Sequence, residues 1–174
     1  MEIRALRETD DRSIFRSGDP DLDRFFSKYA GQNQFRHHIG TTYVAVEGNH
    51  IGGFATVAPG TVEGQALPAR RQRLPRYPVP VLRLARLAVG EAEQGQGVGG
   101  ALLRHVFFLA LKMSEEYGCA GIIVDAKPDA TNFYARFGFS PLETVEGELD
   151  SRPRPTPMFL PLELIVLALA PAEG

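Results

Sequence analysis

The sequence has a single cysteine, Cys119, in 174 residues. One thiol cannot close an internal disulfide, so a reducing cytoplasm is the natural setting. No apolar run is long enough to cross a bilayer. The longest, "MFLPLELIVLALA", contains Pro161 and Glu163 and reads as a core strand. The N-terminus, "MEIRALRETDD", lacks the apolar centre of a signal peptide. Internal repeats and low-complexity tracts are missing, and no metal ligand set is expected. With a net charge of −2, the molecule as a whole has no built-in pull toward nucleic acid or acidic membranes.

What is present is ordinary for a soluble globular protein: 44% hydrophobic and 23% charged residues. The length fits one domain, residues 1–174, with a sizeable core. "MEIRALRE" reads as a weak strand. "SGDPDLDRFFSKYA" reads as a helix: Asp19 caps it, Pro20 suits its first position, and Asp21 and Asp23 suit its positive end. Leu22, Phe25, Phe26, Tyr29 and Ala30 recur at helical spacing. "TTYVAVEGNHIGGFATVAPG" gives two strands around a turn at Gly48-Asn49, and Val79–Val89 a buried strand. A long helix follows, with Leu102, Leu103, Val106, Phe107, Ala110 and Leu111 as its apolar stripe. "AGIIVDA" is a short strand. "PDATNFYARFG" is a short helix stopped by Gly138, "DSRPRPTP" a loop, and the apolar C-terminal run one or two final strands. The order β-α-β-β-β-α-β-α-β predicts an α/β fold: a mixed sheet flanked by helices.

Between the fourth strand and the long helix stands "EQGQGVGGALL", with Gly95, Gly97, Gly99 and Gly100 in six residues. Glycine loses the most backbone entropy on folding, so such a cluster needs a reason. A helix N-terminus offers unpaired N–H groups and partial positive charge, and glycines let the backbone approach an anion. A pyrophosphate cradle is one reading; a tight strand-to-helix turn is the other. The P-loop is excluded because Ala101 and Leu102 stand where Lys and Ser or Thr belong. The dinucleotide fingerprint fits only in part, because the preceding hairpin and the lack of further βαβ units argue against it.

A third pattern fits better. Gln94-Gly95-Gln96-Gly97-Val98-Gly99 resembles the Q/R-x-x-G-x-G/A signature of the GNAT acetyltransferases, and "NFYARFGF" resembles that family's N-x-Y or F-Y-x-x-x-G-F segment. The likeness runs from about Phe15 to Leu162. Through "SGDPDLDRFFSKYAGQNQ", "TTYVAV", "RYPVPVLRLARLAV" and "IIVDAK" it narrows to the GNAT toxins of bacterial toxin–antitoxin pairs, which acetylate the amino acid on charged tRNA. One departure is Gly90, where the family usually has Asp.

The resemblance implies a GNAT fold with a mostly antiparallel central sheet, acetyl-CoA as co-substrate, and aminoacyl-tRNA and a ribbon–helix–helix antitoxin as partners. It implies that Gln94, Gly95, Gln96, Gly97, Val98 and Gly99 bind the pyrophosphate, and that the backbone of Leu87, Ala88 and Val89 holds the pantetheine arm and polarises the thioester carbonyl. Asn132 would hydrogen-bond the same arm, or simply be solvated. Tyr134 would protonate the thiolate expelled after the amine attacks; Phe133 and Phe137 supply the aromatic stripe, which leaves Tyr134 free to face a cleft. No general base stands out among His37, His38, Glu91 and Glu93. The α-amine of an aminoacyl ester is less basic than lysine, so part of it is already neutral near pH 7 and water can take the proton. Cys119 reads as a packed thiol.

Six arginines and no acid lie between Gly64 and Gly90, four of them (Arg70, Arg71, Arg73, Arg76) in "LPARRQRLPRYPVP". Such a local excess predicts a tRNA surface there. The apolar final strand suggests a dimer edge. Two other functions fit parts of the pattern: a GNAT enzyme for a small amine or a protein N-terminus, and a non-catalytic coenzyme A-binding module. The intact glycine loop and Tyr134 argue against the latter.

Overall fold

A computed structural model of the chain describes residues 1–64, 67, 78–142 and 155–169. Its strands are β1 (Glu2–Ala5), β2 (Thr41–Glu47), β3 (His50–Val62), β4 (Val79–Val89), β5 (Gly121–Ala126), β6 (Ser140–Pro141) and β7 (Thr156–Pro161). They form one mixed sheet in the order β1-β2-β3-β4-β5-β7-β6. The pairs β1–β2, β2–β3, β5–β7 and β6–β7 are antiparallel. Helices are α1 (Pro20–Arg24), α2 (Val98–Glu116), α3 (Thr131–Arg136) and α4 (Leu162–Leu169). This is the expected α/β architecture.

The chain divides into two compact units, Met1–Ala58 with Leu84–Val106, and Pro59–Arg83 with Phe107–Gly174. In the first, Phe26 stacks on Phe54 with centroids 4.3 Å apart, and Phe15 meets both rings edge-on. Leu6, Phe25, Val44, Val46, Ile51 and Ala88 complete that core. The turn between β2 and β3 is Gly48-Asn49 as expected, with Gly48 at φ +60, a conformation that favours glycine in a two-residue hairpin. In the second unit Val79, Val81, Ile123, Leu142 and Phe159 form the core. Cys119 is buried there, its thiol donating to the Gly121 carbonyl at 3.2 Å.

Three expectations need correction. The helix capped by Asp19, whose carboxylate accepts from the Asp21 and Leu22 amides at 3.0 and 3.3 Å, stays α-helical only to Arg24. It continues as π-helical turns at Phe25–Tyr29 and Gln32–His37. The wider i→i+5 winding keeps Phe25, Phe26 and Ala30 inward but turns Tyr29 out to 47% exposure. The C-terminal apolar run is not all strand. β7 stops at Pro161, and Leu162–Leu169 is helix α4. A short run that is apolar throughout carries no period to separate strand from helix; Glu163 in the first turn of α4 was the readable sign. The final strand is not the free dimer edge expected of it, because β7 lies between β5 and β6 and pairs with both at Met158 and Phe159.

Candidate active site

In the first unit β4 delivers the chain to the glycine loop. Gly95 and Gly97 have φ of +80 and +84, and no atom lies within 4 Å of where a Cβ would stand on either. Both conditions matter: the backbone angle favours glycine, and the bare Cα faces open space that a ligand can enter. The Gly97 carbonyl accepts the Ala101 amide at 3.0 Å, so Gly97 caps α2. The N–H groups of the first turn beyond it have no carbonyl of their own helix to bond. Val98 is buried and anchors the helix start, while Gln94 to Gly97 are exposed. A 19-residue helix thus opens its positive end on an exposed, bare-backbone loop. Such a loop is suited to an anionic group.

The side chains of the two glutamines bond within the protein. The Gln94 side chain donates to the Ser17 carbonyl at 2.9 Å and the Val89 carbonyl at 3.3 Å, and that of Gln96 to the Ala92 carbonyl at 3.1 Å. The Gln96 amide is occupied by the Glu93 carbonyl at 3.3 Å. These groups brace the loop.

Sequence reasoning missed a second brace. Glu93, considered above only as a general base, has a side chain only 12% exposed and pairs with His50, the first residue of β3. Its carboxylate lies against the bare Cα of Gly90, and its Cγ would be 3.1 Å from a Cβ on Gly52. The Gly90 amide donates to the Gly52 carbonyl at 2.8 Å. Gly90, the departure from the family pattern, therefore makes room for Glu93. Gly90→Asp is expected to push Glu93 aside and set two carboxylates together. Calorimetry should record acetyl-CoA binding weakened on the order of tenfold, ~1.4 kcal/mol. The double variant Gly90→Asp/Glu93→Ala should recover most of it. Wild-type binding by the single variant would remove Glu93 from the brace.

Leu87, Ala88 and Val89 end β4. Ala88 is buried in the first unit's core, while Leu87 and Val89 are half-buried.

Asn132 and Tyr134 lie on α3 in the second unit. Asn132 is exposed. Tyr134 is the buried aromatic of this helix at 5% exposure, whereas Phe133 and Phe137 are half-buried. The inward position that was expected for the phenylalanines is thus taken by the tyrosine. Phe133 and Phe139 flank the Tyr134 ring at centroid distances of 5.1 and 5.4 Å. Gly138, at φ +99, ends the helix as expected and returns the chain so that the Phe139 amide reaches the Tyr134 carbonyl at 3.2 Å. Burial pushes the Tyr134 phenol far above its ordinary pKa. The group therefore holds its proton across the physiological range, the state a proton donor needs.

Arg70, Arg71, Arg73 and Arg76 lie outside the described residues. No group of three or more potential metal ligands occurs among the described residues, and no helix there is long and apolar enough to cross a membrane.

The acetyltransferase (GNAT) domain family matches residues 38–141. A tRNA-acetylating toxin of Mycobacterium tuberculosis (strain ATCC 25618 / H37Rv) is 35% identical over 137 residues, covering 78% of this chain and 82% of that protein. Among solved structures, AtaT complexed with acetyl-methionyl-tRNAfMet is similar with a TM-score of 0.82 at 25% identity, over 97% of this chain and 99% of that one. AtaTR bound with AcCoA is similar with a TM-score of 0.79 at 26% identity, over 97% and 98% of the two chains.

Proposed function

This chain belongs to the GNAT acetyltransferase family, and we propose that it transfers the acetyl group of acetyl-CoA to the α-amine of an aminoacyl-tRNA, acting as a translation-blocking toxin. The observation that carries this reading is the 35% identity to a tRNA-acetylating toxin over 78% of the chain. The bare-backbone cradle at the start of α2 supports it from the side of the co-substrate.

Acetyl-CoA supplies an activated acetyl thioester. The main-chain amides of Gly95, Gly97, Val98 and Gly99 hold its pyrophosphate. The backbone of Leu87 to Val89 lies along the pantetheine arm, and its N–H groups stabilise negative charge on the carbonyl oxygen. Asn132 binds the same arm. The neutral amine attacks the carbonyl carbon, a C–N bond forms, and the C–S bond breaks. Tyr134 gives its proton to the departing sulfur and regains one through water from the attacking nitrogen. Arg70, Arg71, Arg73 and Arg76 hold the tRNA backbone. All 174 residues serve as one catalytic domain in the cytoplasm, where charged tRNA is found, with a ribbon–helix–helix antitoxin as partner.

The test is to incubate the protein with labelled acetyl-CoA and either aminoacyl-tRNA or the same tRNA stripped of its amino acid. Label is expected only on the charged form. Replacing the four arginines by alanine should keep acetyl-CoA affinity while the acetylation of charged tRNA falls. Rapid labelling of a small amine or peptide, with none of the aminoacyl-tRNA, would replace this reading with a metabolic acetyltransferase.

A further inference from the structure

The first unit holds a cavity that takes no part in the transfer chemistry. Its volume is about 330 Å³, and it is lined by Glu8, Arg12, Gly31, Gln32, Phe35 and Arg36. The connection after β1 supplies Glu8 and Arg12; the π-helical turn Gln32–His37, with Gly31 before it, supplies the rest. Gly31 and Phe35 are four apart, as are Gln32 and Arg36, so each pair shares a side of the turn. Gln34 fastens this turn to the sheet: its side chain donates to the Leu6 carbonyl at 3.2 Å and accepts from the Thr42 amide at 2.8 Å. The cavity therefore has a fixed wall, and its size lies at the lower end of the range for small-molecule sites. Single π turns of this kind occur frequently at functional sites.

The charges around the cavity lack partners. Arg12 is half-buried, and its Nε is shut off from water without a hydrogen-bond partner. Among the described residues no ion pair or hydrogen bond engages the side chains of Arg12, Arg36 or Glu8. Partial burial of a guanidinium with no counter-charge is costly. Packing of the aliphatic stem does not account for it, because the charged end itself lies against the bare Cα of Gly31, where a Cβ would collide with it. A guanidinium fork held in this way matches a carboxylate, which it binds through two parallel hydrogen bonds. A simple anion would also meet Glu8, and the like charges would repel. A ligand with an ammonium beside its carboxylate answers both signs at once. The half-buried ring of Phe35 offers an apolar wall for the remainder of such a ligand.

We infer that this cavity binds a free α-amino acid with an apolar side chain: the carboxylate on Arg12 and Arg36, the ammonium on Glu8, and the side chain against Phe35. The inference goes beyond acetyl transfer and does not depend on it.

The experiment is calorimetry on the full chain with L-leucine and L-phenylalanine as probes. Three relatives of leucine each remove one contact: N-acetyl-L-leucine has no ammonium, L-leucinamide no carboxylate, and glycine no side chain. Inorganic phosphate tests for a bare anion site. At least one of the two amino acids is expected to bind with a dissociation constant of about 1 mM or tighter. The derivatives without ammonium or carboxylate should bind at least about tenfold more weakly, the loss of one charge-assisted contact, and glycine should also bind more weakly. Arg12→Gln and Glu8→Gln should each weaken amino-acid binding by a similar factor, and Glu8→Gln should erase the preference over N-acetyl-L-leucine. Gly31→Ala keeps every charge but displaces the guanidinium, so it too should weaken binding. Acetyl-CoA affinity and circular dichroism should match wild type in all three variants, which keeps a loss of fold apart from a loss of the site. Failure of both amino acids to bind at about ten times that concentration would overturn the inference. So would equal binding of N-acetyl-L-leucine by the wild type, or phosphate binding that is tighter than either amino acid and lost in Arg12→Gln.

Discussion

Tyr134→Phe is expected to bind acetyl-CoA like the wild type and to lose about 10²–10⁴-fold in turnover, the usual cost of removing a general acid. The substitution deletes one oxygen and leaves the ring between Phe133 and Phe139, so the fold should hold. Because burial raises the phenol pKa, ionisation of Tyr134 in the free protein should not limit the rate at neutral or mildly alkaline pH. The kcat/KM profile should therefore show no alkaline fall from this group below about pH 10, where an ordinary tyrosine titrates. Steady-state kinetics with calorimetry on the same preparation checks both parts. A Phe variant that turns over at the wild-type rate would leave Tyr134 as an aromatic packing residue only.

Gly97→Asp should abolish useful acetyl-CoA binding, with a loss of at least about 100-fold, ~2.7 kcal/mol. Three effects act together. At φ +84 any L side chain is strained. The new side chain would stand in space that is now open. Its carboxylate would also compete with the pyrophosphate for the amides at the start of α2, since Asp is itself a good helix cap. The last point makes the variant informative, because capping offsets part of the strain. Gly97→Ala, which has the strain without the charge, should bind with intermediate affinity. Calorimetry on samples whose circular dichroism matches wild type gives the answer. Normal binding by a folded Gly97→Asp would move the pyrophosphate elsewhere.

What was legible in the sequence was local. The glycine loop before α2, the Gly48-Asn49 hairpin, the Asp19 cap and the Gly138 stop each depend on backbone chemistry within a few residues, and each is found. What was missed depends on contacts that spacing does not encode. Glu93 meets His50 across 43 positions, and no local pattern links them; the only trace was the glycine at position 90. The Arg86 guanidinium over the Phe25 ring is a pairing of the same long-range kind. The π-helical turns went unseen because an apolar stripe at helical spacing looks the same until the winding shifts, when Tyr29 leaves it. Tyr134 was named on the family's pattern, but its burial on α3 could not be read from "NFYARF", where three aromatics compete for the inward positions. Helix α4 was hidden by uniform hydrophobicity.

The central claim is that the acetyl group ends on the α-amine of an amino acid still esterified to tRNA. The most direct measurement is to treat a defined aminoacyl-tRNA with the protein and acetyl-CoA, digest the RNA with a nuclease, and weigh the released 3′-terminal aminoacyl-adenosine by mass spectrometry. The account predicts a gain equal to one acetyl group, located on the amino acid by fragmentation, dependent on acetyl-CoA and absent with Tyr134→Phe on the same timescale. An unmodified aminoacyl-adenosine, or an acetyl group found on the nucleoside instead, would contradict it.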